Sequence, residues 1–324
     1  MKINLLARKY FCIALNLLNL APPFWLKNFQ YFVAVDYHYF CDNIISDPTL
    51  EVDRLILDEH LEFISSNMNV INPKSFDHKT FFYSEENKPS ILITVDDADS
   101  SILKSLDIFE KYEIPIIIFV PFGLCLDSST RDGLRSRILR SFFEIKENQE
   151  KAERGIKINF FEKIMSSSFE ELEEIYFKIN SKRNNKDIIS SRTLLNFDEL
   201  EKLSHHPLIT ISSHSMSHPV LTKLPQKWLK WEITCSMQYL RYVNGDKKYF
   251  AYPYGYKGST NREVKELLKK NGVKYAFSTR SKTVKINSDL LELGRVGMLG
   301  FFNKSYFRGL AGGAFEVFDT LLGR

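Results

Sequence analysis

Short apolar runs rich in Ile, Val, Phe and Tyr alternate along the chain with helical or turn sequence, and Ile116-Ile117-Ile118-Phe119-Val120 is apolar at every position. The alternation predicts an α/β fold, and a continuous apolar run predicts a strand buried on both faces, as parallel sheets require. Seven such runs are present, which suits a distorted seven-stranded (β/α) barrel with an inserted helical segment.

In chain order the expected strands cover residues 32–39, 91–96, 115–121, 209–214, 249–254, 275–279 and 291–298. Helical patterns lie between them at 101–112, 228–242 and 261–271, the last closed by Gly272 as a C-terminal cap. Residues 129–195 break the alternation with charged helical sequence. Apolar residues there (Ile138, Leu139, Phe142, Phe143, Phe160, Phe161, Ile164, Met165) predict helices sealed on the barrel rim as a cap, or else a long βα connection with a solvated face. Neither a fixed-period repeat nor a Gly/Ser linker divides the chain, so residues 32–300 read as one barrel and 301–324 as a C-terminal tail.

With 324 residues, 44% hydrophobic and 26% charged, the composition excludes collagen-like and wholly disordered chains. A formal charge of +4 leaves no footprint for nucleic acid. The four cysteines (Cys12, Cys41, Cys125, Cys235) form no CxxC or disulfide framework, which points to a reducing, cytoplasmic location. Residues 1–31 carry Lys2, Arg8, Lys9 and Lys27 without an acid. On a helical period Leu5, Leu6, Ile13, Leu17 and Leu20 oppose Asn4, Arg8, Asn16 and Asn19, so peripheral attachment to the inner membrane face through residues 1–30 is expected. A signal peptide or a spanning segment would make the protein secreted or anchored, but Asn16 and Asn19 interrupt the apolar core and Pro22-Pro23 end it early.

Two clusters carry chemistry, each at the C-terminal end of an expected strand, where barrel enzymes keep their active sites. Thr94-Val95-Asp96-Asp97-Ala98-Asp99-Ser100 places adjacent carboxylates at a strand end, one able to hold a metal while the other moves protons. The same residues could simply turn the chain and cap the following helix. His214-Ser215-Met216-Ser217-His218-Pro219 presents two of the seven histidines four apart, able to reach one cation across a tight turn or to pack locally. One Asp and two His would leave a coordination position open, the arrangement of metal-assisted hydrolysis. A third cluster, Tyr249-Phe250-Ala251-Tyr252-Pro253-Tyr254-Gly255, joins an aromatic strand to a Pro/Gly turn that can aim a backbone N–H at an oxyanion, with Tyr254 the residue to single out.

The order of these clusters resembles the polysaccharide deacetylases of carbohydrate esterase family 4, related to nodulation-type chitooligosaccharide deacetylases. TVDDAD (94–99) is similar to the TFDDG motif, HSMSHP (214–219) to HSxxHP, and FAYPYG (250–255) to the proline-tyrosine-glycine motif. Asp36-Tyr37-His38 and Leu293-Gly294-Arg295-Val296 resemble the strands that open and close many members. The resemblance implies that Asp96 is the general base, that Asp97, His214 and His218 hold a divalent metal, zinc by preference, and that Tyr254 offers its backbone N–H to the oxyanion. It implies removal of N-acetyl groups from amino sugars of a polysaccharide, oligosaccharide or lipid-linked glycan. Ala98 stands where the family has glycine, and Ala251 where many members have the arginine that positions the base; Arg295 could supply that guanidinium from its own strand. No histidine follows His218 to act as the late general acid, and Asp289 is the candidate for that late motif. A glycan-binding protein with a degenerate site, a sugar deformylase and an O-acetyl esterase are the alternatives.

Overall fold

The computed structural model describes residues 31–42, 47, 49–83, 88–144, 154–181, 193–298 and 300. The amphipathic segment expected before residue 31 and the tail at 301–324 lie outside the described residues. The chain begins with β1 (Tyr31–Tyr37), β2 (Tyr39–Cys41), β3 (Glu51–Asp53), α1 (Arg54–Asn67), β4 (Asn69–Val70), α2 (His78–Tyr83), β5 (Ser90–Asp96) and α3 (Ser101–Lys111). It continues through β6 (Ile116–Val120), α4 (Phe122–Cys125), α5 (Arg131–Glu144), α6 (Arg154–Ser166), α7 (Phe169–Asn180), α8 (Phe197–Ser204) and β7 (Ile209–Ser213). The last part holds α9 (Gln226–Tyr239), β8 (Tyr249–Ala251), α10 (Arg262–Lys270), β9 (Tyr275–Phe277), β10 (Val284–Lys285) and β11 (Val296–Gly297).

Parallel pairing runs β1-β5-β6-β7-β8-β9, with β10 antiparallel on β1 and β4 parallel on β5. Beyond β9 the chain crosses back to its start. Leu293 bridges Phe277 of β9, and β11 then pairs with Val35 and Asp36 of β1, so a final stave joins the two ends of the curled sheet. Only short ladders form in this stave because its backbone leaves one neighbour for another at Gly294-Arg295, where the expectation was a continuous strand from 291 to 298. The expected strand 249–254 likewise stops at Ala251, because Pro253 has no N–H and Tyr254 and Gly255 take φ of 63° and 57°.

Strand periodicity sorts the core into two layers. Ile116, Ile118 and Val120 of β6 face the helices, together with Val33, Val35, Ile91, Ile93, Val95, Ile209 and Ile211. Ile117 and Phe119 face the inside of the curl with Phe32, Ala34, Leu92, Tyr249, Ala251 and Phe277. The segment expected to interrupt the barrel folds as helices α5, α6 and α7 among the described residues. Phe142 and Phe160 stack at 4.1 Å, and Phe161 stacks on the fully buried Trp228 of α9 at 5.2 Å. Ser168 and Glu171 form a capping box that starts α7.

Phe161 is only 5% exposed, so Phe161→Ala should cost about 3 kcal/mol in stability. Hydrogen exchange should show the loss concentrated in α5 to α7; uniform deprotection of the barrel would contradict this packing.

Candidate active site

Period two places Asp36, Thr94, Asp96 and His214 on the same inner face as Ala34, Leu92 and Phe119, at the C-terminal ends of their strands. Thr94 pairs with Asp36 across β1 and β5, and Phe119 links Asp96 to Ser212 of β7 in register. Apolar side chains fill the rest of this face, so carboxylates and imidazoles gather where the strands end.

Arg295 reaches this point from the closing stave. With no solvent exposure, it donates from Nη1 and Nη2 to the two carboxylate oxygens of Asp96 at 2.6 and 2.7 Å, and from Nη1 to Thr94 Oγ1 at 2.9 Å. The Phe119 and Phe277 rings flank its guanidinium at 5.6 and 5.9 Å. Burial works against the Asp96 charge, yet Arg295 and His214 overcome it and hold the carboxyl below its usual range. Asp36 is pushed upward by burial, which Arg295 only partly offsets, and its Oδ1 accepts no hydrogen bond. Of the two neighbours, Asp96 is the ionised one.

Asp97 turns away from Asp96 with φ of 70° and joins His214 and His218 in a cluster whose ligand atoms lie within 4.8 Å of one another. His218 Nε2 stands 3.2 Å from Asp97 Oδ1, and His214 Nε2 stands 3.7 Å from the same oxygen. The donor set fits a divalent cation. Asp97 Oδ1 is buried and accepts no hydrogen bond, while His214 Nδ1 lies 2.8 Å from Ala251 O, so its N–H donates there and Nε2 faces the cluster as a lone-pair donor. Burial lowers His214 to about 4, which leaves it neutral and able to ligate near neutral pH. Asp97 lies well below its usual range, burial being outweighed by the facing imidazoles, His218 first.

The loops that deliver these groups are strained and tightly held. Asp97, Ala98, Ser215, His218 and Tyr254 all have φ between 53° and 70°, left-handed conformations that cost on the order of 1 kcal/mol each. Ala98 adopts the conformation glycine would take there, at φ 53°, and its carbonyl accepts from Leu195 N. Capping falls to Asp99, whose Oδ1 accepts from Ser101 N. Glu232 of α9, wholly buried, receives Met216 N, Ser217 N, Ser217 Oγ and Trp228 Nε1, and so fixes the turn between the histidines. Gly255 is required by contact as well as by its φ of 57°, since a Cβ would meet Thr279 N at 2.4 Å.

Tyr254 is brought to the cluster, its ring 4.8 Å from that of His218, with 47% of the residue exposed. Asp289 is not: it lies on the surface, paired with Lys265 at 2.8 Å. His38, just after β1, belongs in the sequence only to the opening strand. Its ligand atoms fall within 4.8 Å of those of Asp36 and Asp96, which places an imidazole beside the ionised carboxylate from the start of the chain. Tyr39 OH donates to Asp97 Oδ2 at 2.9 Å. Neither role shows in local sequence, because both depend on β1 lying next to β5.

The family model for polysaccharide deacetylases matches residues 173–276, a stretch that holds His214, His218 and Tyr254. The fold superposes on the Streptococcus pyogenes deacetylase PplD in complex with acetate with a TM-score of 0.58 at 15% identity, covering 86% of this chain and 96% of that one. The sequence of residues 173–276 is similar to the polysaccharide deacetylases, and the fold as a whole is that of their barrel. Both likenesses are to hydrolases of the type that cleaves carbon–nitrogen amide bonds. IcaB from Ammonifex degensii shares the fold at TM-score 0.55 and 14% identity, over 88% of this chain and 97% of its own. A de-N-acetylase from Aggregatibacter actinomycetemcomitans does so at 0.56 and 12%, over 86% and 99%. No curated protein matches the sequence.

Arg295→Met leaves Asp96 buried without its counter-charge and should cost about 3–5 kcal/mol in urea melts, with Arg295→Lys recovering only part because it cannot make two parallel bonds. A full recovery with lysine would show that geometry is unimportant. Acidification should also weaken the metal-free fold. The unfolded chain binds a proton at His214 near 6.5 and the folded chain only at about 4, so stability falls as pH drops through that window, by about 3 kcal/mol from this residue. Urea melts at pH 7 and pH 4 check this, and His214→Asn should flatten the slope; an unchanged slope would exclude His214 as its source.

Proposed function

We propose that the protein is a metal-dependent hydrolase that removes N-acetyl groups from amino sugars of a polysaccharide, oligosaccharide or lipid-linked glycan. The observation that carries this reading is the Asp97–His214–His218 cluster standing beside an ionised, arginine-held Asp96 at the mouth of a deacetylase-type barrel. Two imidazoles and one carboxylate suit zinc and leave a coordination position open. Bound there, the cation would supply Lewis acidity and lower the pKa of water.

The chain's own groups account for the proton movements. Asp96 accepts the proton of the attacking water, and Arg295 keeps both its oxygens in place while this happens. The Tyr254 backbone N–H is the candidate donor to the developing oxyanion. His38, on the Asp96 side of the cluster, is the group we assign to protonate the departing amine, so that the products are acetate and a free amino sugar. Ala251 supplies no guanidinium, and Arg295 occupies that role from the other side, which argues against a degenerate, binding-only site. The free thiols of Cys125 and Cys235 support a cytoplasmic location as part of the same reading. Membrane attachment through residues 1–30 concerns a segment outside the described residues, and no helix among the described residues is long and apolar enough to cross a membrane.

Elemental analysis with acetate release from an N-acetylated oligosaccharide tests the proposal. Wild type should carry about one metal per chain and release acetate. His214→Ala should lose both, and His38→Gln should keep the metal while losing at least about a hundredfold in kcat. Metal-replete wild type without metal would sink the reading, and metal without acetate would redirect it to formyl or O-acetyl groups.

A further inference from the structure

A carboxylate can meet a cation with one oxygen or with both, and the two oxygens of Asp97 have different surroundings. Oδ1 is buried and accepts no hydrogen bond, standing 3.2 Å from His218 Nε2 and 3.7 Å from His214 Nε2. Oδ2 accepts from the Tyr39 hydroxyl at 2.9 Å, across 58 residues of sequence. None of the proton movements assigned to Asp96 and His38 uses this bond.

Several contacts fix the position of the hydroxyl. Tyr39 opens β2, its N–H donates to Leu50 O at 3.1 Å, and the strand pairs in parallel with β3. The next residue, Phe40, donates from its N–H to Ser101 Oγ at 3.0 Å and packs its ring edge to face on Phe109 at 5.9 Å. Ser101 and Phe109 belong to α3, the helix that directly follows the Asp97 loop. Donor and acceptor are therefore anchored on the same helix. On the acceptor side the left-handed backbone at Asp97, φ 70°, restricts rotation of the carboxylate. A hydroxyl-to-carboxylate bond is charge-assisted and about twice as strong as a neutral one, so Oδ2 is held away from any second role. Zinc sites with two imidazoles and one carboxylate are satisfied by a single oxygen, whereas manganese, magnesium and calcium favour larger sets of oxygen ligands.

We propose that Tyr39 is a positioning residue: its hydroxyl reserves Asp97 Oδ2 and leaves Oδ1 as the carboxylate's one donor to the cation, which keeps the coordination number low and favours zinc over octahedral cations such as manganese. The role rests on the metal-dependent reading of the cluster, but not on which glycan or acyl group is cleaved.

Zinc and manganese affinities of the full-length protein, stripped of metal and reloaded, test it together with the visible spectrum of the cobalt form. Tyr39→Phe should lose about tenfold in zinc affinity and less in manganese affinity, so that the preference narrows. Its cobalt absorption should also fall, being intense in low-coordinate sites and weak in octahedral ones. Wild-type affinities and spectrum in the variant would overturn the proposal. Equal losses for both metals with an unchanged cobalt band would overturn it as well, since the hydroxyl would then be merely structural. Should Tyr39→Phe not fold, X-ray absorption of the zinc-loaded wild type decides: the Asp97 carboxyl carbon at the short distance of a chelating carboxylate overturns the proposal, and its absence supports it. A Tyr39-dependent metal preference without acetate release from any N-acetylated glycan would keep the positioning role and remove the deacetylase reading. Metal-dependent acetate release with a metal preference indifferent to Tyr39 would do the reverse.

Discussion

Arg295 places a guanidinium with no solvent exposure against both oxygens of Asp96, and most of what distinguishes this barrel depends on that contact. The pair joins residues 199 apart in sequence, from β5 and from the stave that returns to β1, and so couples closure of the sheet to the charge state of the site. A buried ion pair is a weak source of net stability, because desolvation consumes most of its Coulombic gain. Its value here is positional. It keeps one carboxylate ionised within an apolar barrel while the neighbouring Asp36 is pushed toward its neutral form.

Around this pair the backbone carries strain that the packing sustains. Left-handed residues at Asp97, Ala98, Ser215, His218 and Tyr254 would be unfavourable alone, and they persist because fixed hydrogen bonds leave the loops no alternative. Glu232 gathers donors from the histidine turn, Ser213 Oγ donates to Ser236 Oγ beneath it, and Thr279 holds Tyr254 and Gly255 by their carbonyls. Preorganisation of this kind means that the ligand atoms need little reorganisation to meet a cation.

The barrel is polarised along its axis. Phe32, Phe76, Phe81 and Phe82 pack edge to face or tilted near the strand beginnings, where Phe32 opens β1. The same inner face ends in Asp36, Asp96 and His214, so the low dielectric of the aromatic plug lies beneath the charged mouth and strengthens every interaction there. The inserted helices are anchored on α9 by Phe161 stacking on Trp228.

Local sequence determined the α/β class, the positions of the principal strands and the identity of the paired carboxylates and spaced histidines, because periodicity and motif spacing are properties of neighbouring residues. Ala98, a departure from the glycine of the resembling family, holds a φ of 53°, since the cost of a left-handed alanine is small beside the contacts that hold it. What the chain order concealed is anything that needs two distant strands to lie side by side. His38 entered the site because β1 pairs with β5, whereas Asp289, the candidate suggested by its late position, went to a surface pair with Lys265. Arg295 could be suspected from its strand, but only closure of the sheet brought its two donors to Asp96.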